Sequence, residues 1–155
     1  MKTWLKAGLL GGIAGIVLTI PAFLAFYLPF SIGALVSTCA SVVFFLLYPG
    51  VGVLAASWLA APRTAKQGAI DGALAGLVAF SMDSVATIVA TLIIYWTGAF
   101  EQYMRQLAPQ LEPEVLASAN TLTLGLIVGS SCVSVLIGVL FSASGGWVFA
   151  SVKPD

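Results

Sequence analysis

Four long apolar runs, separated by short polar or proline-containing stretches, set the pattern of this chain. They lie near Leu5–Tyr27, Ile32–Ala60, Gly68–Trp96 and Leu122–Ala150. A helix needs about 20 apolar residues to cross a ~30 Å hydrocarbon core, so each run predicts a transmembrane helix. The runs after Ile32 and Leu122 exceed that minimum, which predicts tilt, a kink, or ends outside the core. Pro21 lies inside the first run and Tyr48-Pro49-Gly50 interrupts the second. Each proline removes a helix hydrogen bond and predicts a bend or local unwinding. The expected fold is an all-α integral membrane protein, a four-transmembrane-helix bundle forming a single membrane domain over residues 1–155.

Composition sharpens this picture. Of 155 residues, 60% are hydrophobic and only 8% charged, against about 25% charged in soluble domains. The basic start Met1–Lys6 before an apolar run resembles a signal peptide, yet the run continues through Phe30 without a clear small-residue cleavage site, so a retained first helix is expected. The few charges matter by position. Lys2 and Lys6 precede span one, Arg63 and Lys66 occupy the turn between spans two and three, and Lys153 follows span four. Basic residues favour the cytoplasmic side, so a multi-pass protein of the bacterial inner (plasma) membrane with both termini in the cytoplasm is expected. Trp4, Trp58 and Trp147 would mark that interface, and Tyr27, Tyr95 and Trp96 the other.

The outer loop, 98–120, carries its own periodicity. Phe100, Met104, Leu107 and Leu111 fall on one helical face, with Glu101, Arg105 and Gln106 off it. This predicts a short amphipathic segment resting on the membrane or bundle surface, a connector in preference to a lid. Pro109 would end it. Pro113 suits the first turn of a new helix, and Glu112 and Glu114 suit its positive end, so span four is expected to begin well outside the lipid.

Glycine is patterned too. Gly8 and Gly12, with Gly11 and Gly15, lie on span one; Gly68, Gly72 and Gly76 on span three; Gly125 and Gly129 on span four, followed by Ser130, Ser134, Gly138, Ser142, Gly146 and Ala150. Small residues at four-residue spacing let helix backbones approach each other in lipid. Gly8, Gly12, Gly68, Gly72, Gly76, Gly138 and Gly146 are therefore the expected packing positions, within one chain before between subunits. Lys6-Ala7-Gly8 and the glycines after it echo Lys66-Gln67-Gly68 and its successors, and Gly52–Ser57 echoes Gly146–Ser151. Two parallel helical-hairpin repeats about a pseudo-twofold axis along the membrane normal would account for this, as would shared membrane composition. The segments Gly11–Gly15, Gly50–Ala56, Gly72–Gly76 and Gly145-Gly146 together resemble uncharacterised Gly/Ala-rich four-span bacterial membrane proteins. That resemblance implies a topology and no activity.

Candidate chemistry is sparse. There is no histidine, hence neither the commonest metal ligand nor the commonest catalytic base. Cys39 and Cys132 sit in apolar runs and read as buried small hydrophobes rather than a metal or redox pair. No cofactor or metal is expected, and six scattered Lys and Arg residues make no nucleic-acid patch. Asp71 is expected at the inner surface beside Arg63 and Lys66, solvated or salt-bridged. Asp83 stands apart. It lies twelve positions further, roughly 18 Å along a helix, near the bilayer midplane, where a charged residue costs roughly 2.5–3.5 kcal/mol on insertion scales. With no basic residue of its own chain at that depth, the protonated acid is the expected form. Ser84 and Thr87 on the same span, Ser130, Ser131 and Ser134 on span four, and Tyr48 with the carbonyls freed at Pro49 are its expected partners.

No paired carboxylates, phosphate-cradling loop or activated nucleophile points to an enzyme. The expected function is a non-enzymatic packing or assembly subunit in the lipid bilayer, as a homo-oligomer or with other membrane subunits. A respiratory or photosynthetic complex is a conceivable host. The alternative is a small proton- or cation-coupled transporter or channel that uses Asp83.

Overall fold

The computed structural model describes residues 2–107, 109–110 and 112–154; the side chains of residues 113, 114, 116, 117, 119–121, 124 and 128 lie outside that description. The chain forms α1 (Thr3–Leu24), a 3-10 turn (Ala25–Tyr27), α2 (Phe30–Ser57), α3 (Ala65–Thr97), α4 (Ala99–Leu107) and α5 (Pro113–Val152). Among the described residues there is no strand. Helices α1, α2, α3 and the Gly125–Val152 part of α5 are long and apolar enough to cross a membrane, and the protein is an all-α four-helix bundle with the short amphipathic α4 between its third and fourth spans.

Local chemistry fixes the helix ends. Thr64 caps α3 in a reciprocal box: its Oγ1 accepts from the Gln67 backbone N–H at 3.2 Å, and Gln67 Oε1 accepts from the Thr64 N–H at 3.3 Å. Gly98 ends α3 with φ 67°, a left-handed conformation glycine adopts without strain. Pro113 opens α5 at a position where its missing N–H costs nothing. With 40 residues, α5 is about 60 Å long, twice a ~30 Å hydrocarbon core, and the part of it apolar enough to cross one is Gly125–Val152. Of the bend or local unwinding expected at the prolines, the unwinding does not occur. Both α1 and α2 continue through Pro21 and Pro49, and the missing Pro49 N–H simply leaves the Phe45 carbonyl without its helical donor.

Helix α1 packs on α3 and α2, α5 packs on the same two, and α2 touches α3 across the middle. The section is thus a rhombus with α1 and α5 at its far corners. Parallel helices α1 and α3 are pinned at three levels: Thr3 Oγ1 donates to Asp71 Oδ2 at 2.9 Å, Thr19 Oγ1 to Asp83 Oδ1 at 2.8 Å, and the Tyr27 and Thr97 hydroxyls meet at 2.9 Å. This corrects the two-fold expectation. An axis along the bundle would set α1 opposite α3 and α2 opposite α5, yet both pairs are neighbours. Hairpins α1–α2 and α3–α5 lie side by side in the same orientation. The reason is that the small face of α1 is used against α3, where Gly8 meets Val78 and Gly12 meets Met82.

The core is built of small residues. Ala7, Ala55 and Ala75 are fully buried, with Val51, Ala79 and Phe80 beside them, whereas Leu35, Leu46, Leu126 and Leu140 are about two-thirds exposed. Such an inside-out distribution suits a lipid solvent, where close backbone approach and not burial of leucine holds helices together. Cys39 and Cys132, expected inside, are exposed. The tightest contact surrounds Ser142, which is fully buried and donates to the Gly72 carbonyl at 2.8 Å. A Cβ on Gly52 or Gly72 would strike the Ser142 carbonyl, and one on Gly68 the Gly146 carbonyl. These contacts close the half of the bundle nearer the termini.

Candidate functional site

Asp83 lies halfway along α3, just beyond the glycine-packed region. The same face of α3 carries Gly68, Gly72 and Gly76 against α5, and then Phe80 lies where a Cβ on Gly138 would collide with its ring. Past Phe80 the helices no longer close on each other. A cavity of about 380 Å³ opens there between α1, α2, α3 and α5.

The cavity brings together the polar residues singled out from the sequence. Asp83, Ser84 and Thr87 line it from α3, Tyr48 from α2, and Ser130, Ser131 and Ser134 from α5. Two further hydroxyls, Thr19 on α1 and Ser41 on α2, complete the polar lining. Four aromatic rings, Phe23, Phe44, Phe45 and Tyr48, form much of the α1 and α2 side. Tyr48 is held by an edge-on contact with Phe80 at 4.5 Å, and Phe45 by one with Phe141 at 5.3 Å.

The partner of Asp83 differs from expectation. Its hydrogen bond comes from Thr19 on α1, at 2.8 Å, and not from α5 or Tyr48. Gly15 makes this possible, because a Cβ there would sit 3.2 Å from Asp83 Oδ1. Thr19 is buried and also donates to the Gly15 carbonyl at 3.0 Å. Threonine back-bonding of this kind is routine within apolar helices, which is why Thr19 carried no signal of its own in the sequence.

Other hydroxyls are committed in the same way. Ser41 donates to the Ser37 carbonyl at 2.9 Å, and Ser130 and Ser131 to the Ile127 carbonyl at 3.0 and 2.9 Å. Ser84 Oγ reaches the Ser131 carbonyl at 3.4 Å, a weak bond across α3 and α5. A hydroxyl whose hydrogen is used on backbone still offers oxygen lone pairs. The cavity is therefore rich in acceptor oxygens, while the Tyr48, Thr87 and Ser134 hydroxyls that also line it keep their hydrogens free to donate.

A second cavity of about 330 Å³ continues toward α4, sharing Ala22, Phe23, Thr87, Ile127 and Ser130 with the first. Thr91 and Tyr95 line it from α3, and Phe100 of α4 closes one side. Helix α4 rests on the bundle through Tyr103, whose ring lies 5.3 Å from Phe26 and 5.7 Å from Phe30. Phe100 and Met104 are half-buried on the face read from the sequence, and Leu107 is exposed; Leu111 lies outside the described residues. Glu101 and Arg105 pair at 2.8 Å on the opposite, exposed side.

The remaining charged candidates lie at the other end, away from the cavity. Asp71, expected beside cations, takes its hydrogen bond from Thr3. Arg63 donates to the Leu59 carbonyl at 3.0 Å and the Lys153 carbonyl at 3.3 Å, tying the α2–α3 turn to the end of α5. Lys66 is exposed. Among the described residues no three His, Cys, Asp or Glu side chains gather where they could hold a metal ion. Comparison of the chain with protein-family models, curated proteins and solved structures finds no match.

Proposed function

We propose that this is a non-enzymatic multi-pass protein of the bacterial inner membrane that accepts a proton or cation at Asp83. The observation carrying this reading is the juxtaposition of a hydroxyl-lined cavity around one mid-span acid with a glycine-packed seal on one side of it. Lys2, Lys6, Arg63, Lys66 and Lys153 all lie at the sealed end, which supports cytoplasmic termini. The cavity then faces the outer half of the membrane. At about 380 Å³ it has room for on the order of ten waters, enough to offset much of the cost of a carboxylate at that depth.

Hydrogen counting supports a titrating role. Thr19 has one hydroxyl hydrogen for two acceptors, Asp83 Oδ1 and the Gly15 carbonyl. A protonated Asp83 donating to Thr19, while Thr19 donates to Gly15, gives each contact its own hydrogen. Loss of that proton leaves a carboxylate with no Lys or Arg of the chain at its depth, a site that favours an incoming cation. In proteoliposomes, uptake of protons or sodium driven by an imposed gradient is expected for the wild type and is expected to vanish in Asp83→Asn. Flux unchanged by that substitution removes the proposal.

A packing or assembly role is favoured by one separate observation. Ser41, Ser130 and Ser134 line the cavity yet are exposed on the bundle surface, so a helix from a second copy or another subunit would cover them. On that reading the purified protein runs in mild detergent as an oligomer or hetero-complex. A monomer that still shows Asp83-dependent flux excludes it.

A further inference from the structure

We infer that the ligand of the Asp83 cavity is an organic monocation with an apolar or aromatic body, reaching the site sideways from the bilayer. This rests on the proposed cation-accepting role and names the class of cation. Size decides first. A bare inorganic ion needs several oxygens closing on it at about 2.3–2.6 Å, whereas this space is about 380 Å³, within the range of small-molecule sites. A proton alone requires no such room.

The lining decides next. The polar part of the lining is Asp83, the Thr19, Ser41, Ser130 and Ser131 oxygens whose hydrogens go to backbone carbonyls, and the Tyr48, Thr87 and Ser134 hydroxyls. Phe23 on α1 and Phe44, Phe45 and Tyr48 on α2 add aromatic rings beside these polar groups. Aromatic faces attract organic cations when desolvated, and a carboxylate supplies the countercharge that no Lys or Arg of this chain opposes at mid-span. Two of these rings are fixed by edge-on neighbours, Tyr48 by Phe80 and Phe45 by Phe141, so the wall is preorganised.

The opening decides the route. Ser41, Phe45, Ser130 and Ser134 both line the cavity and are exposed, which places a lateral mouth between α2 and α5 within the spans. A hydrated ion has no means of using that mouth. An amphipathic cation already partitioned into the bilayer does.

The test uses the full-length protein in detergent micelles and equilibrium dialysis of radiolabelled tetraphenylphosphonium. Saturable binding at one site per chain is expected, displaced by benzyltrimethylammonium and unaffected by moderate sodium chloride. Asp83→Asn is expected to weaken it by more than about tenfold, because an apolar-walled charge pair is lost. Asp83→Glu should retain binding, and Phe45→Leu, which keeps the apolar volume but removes the ring, should weaken it severalfold. Helical circular dichroism establishes that each variant is folded. Non-saturable partitioning, binding indifferent to Asp83→Asn, or binding indifferent to Phe45→Leu each overturns the inference. Asp83-dependent proton or sodium flux without phosphonium binding also overturns it while leaving the broader proposal standing. Phosphonium binding without any flux supports the ligand class and removes transport.

Discussion

Thr19 and Asp83 show how unequal the two ends of one hydrogen bond can be. Removing the threonine hydroxyl leaves Asp83 without its interhelical hydrogen-bond partner, whereas removing the carboxyl leaves Thr19 still bonded to the Gly15 carbonyl. Thr19→Val is therefore expected to lower stability by about 1–2 kcal/mol in reversible unfolding from mixed micelles, with Thr19→Ser close to wild type. Asp83→Asn and Asp83→Leu are expected to stay within about 1 kcal/mol of wild type, since exchanging a buried ionisable group for an apolar one is often neutral or stabilising. If Asp83→Leu alone costs several kcal/mol, the acid is interhelical glue and the site reading fails. Asp83 was legible in the sequence because an acid in an apolar run violates the solvent's rules. Thr19 was not, because a threonine satisfied by its own helix is chemically silent until helix rotation shows what it faces.

Helix pairing turns on which glycines meet a neighbour. Gly52, Gly68, Gly72 and Gly146 meet backbone atoms of the facing helix, whereas Gly50, Gly125 and Gly129 have nothing within 4 Å of where a Cβ would lie. Gly72→Val forces α3 and α5 apart at the Ser142 contact and is expected to cost about 3 kcal/mol or more, abolishing folded protein by size-exclusion. Gly125→Ala and Gly129→Ala should be neutral or stabilising by up to about 1 kcal/mol. Equal effects at the two sets would mean that the α3–α5 interface is not the one described. Four-residue spacing located the stripes on α1 and α3 correctly in register. Gly125 and Gly129, which are not among the expected packing positions, share that spacing with nothing opposite them, because spacing defines a face and says nothing of what opposes it. The helical runs themselves were readable to within a few residues, since hydropathy and length act within one segment. Their arrangement as two side-by-side hairpins was not, because repeat-like segments such as Gly52–Ser57 and Gly146–Ser151 are compatible with rotation or translation.

At the scale of the whole molecule, the bundle is asymmetric along its length: closed by backbone contact near the termini, hollow from Asp83 to α4. That asymmetry has an accessibility consequence independent of any ligand. In a background with Cys39→Ser and Cys132→Ser, both exposed on the bundle, Thr91→Cys places a thiol in the cavity next to α4. Ala75→Cys places one in the sealed half, at a fully buried core position. A membrane-impermeant thiol reagent added from the α4 side is expected to label position 91 and not position 75, and the same reagent from the side of the termini to label neither. Phe100 closes one side of that cavity and Tyr103 anchors α4 on Phe26 and Phe30. Adding Phe100→Ala or Tyr103→Ala should therefore speed labelling at position 91 severalfold without changing position 75. Labelling of position 91 from the terminal side would mean that the glycine seal opens to water, and an unchanged rate in both α4 variants would reduce that helix to the simple connector its sequence suggested.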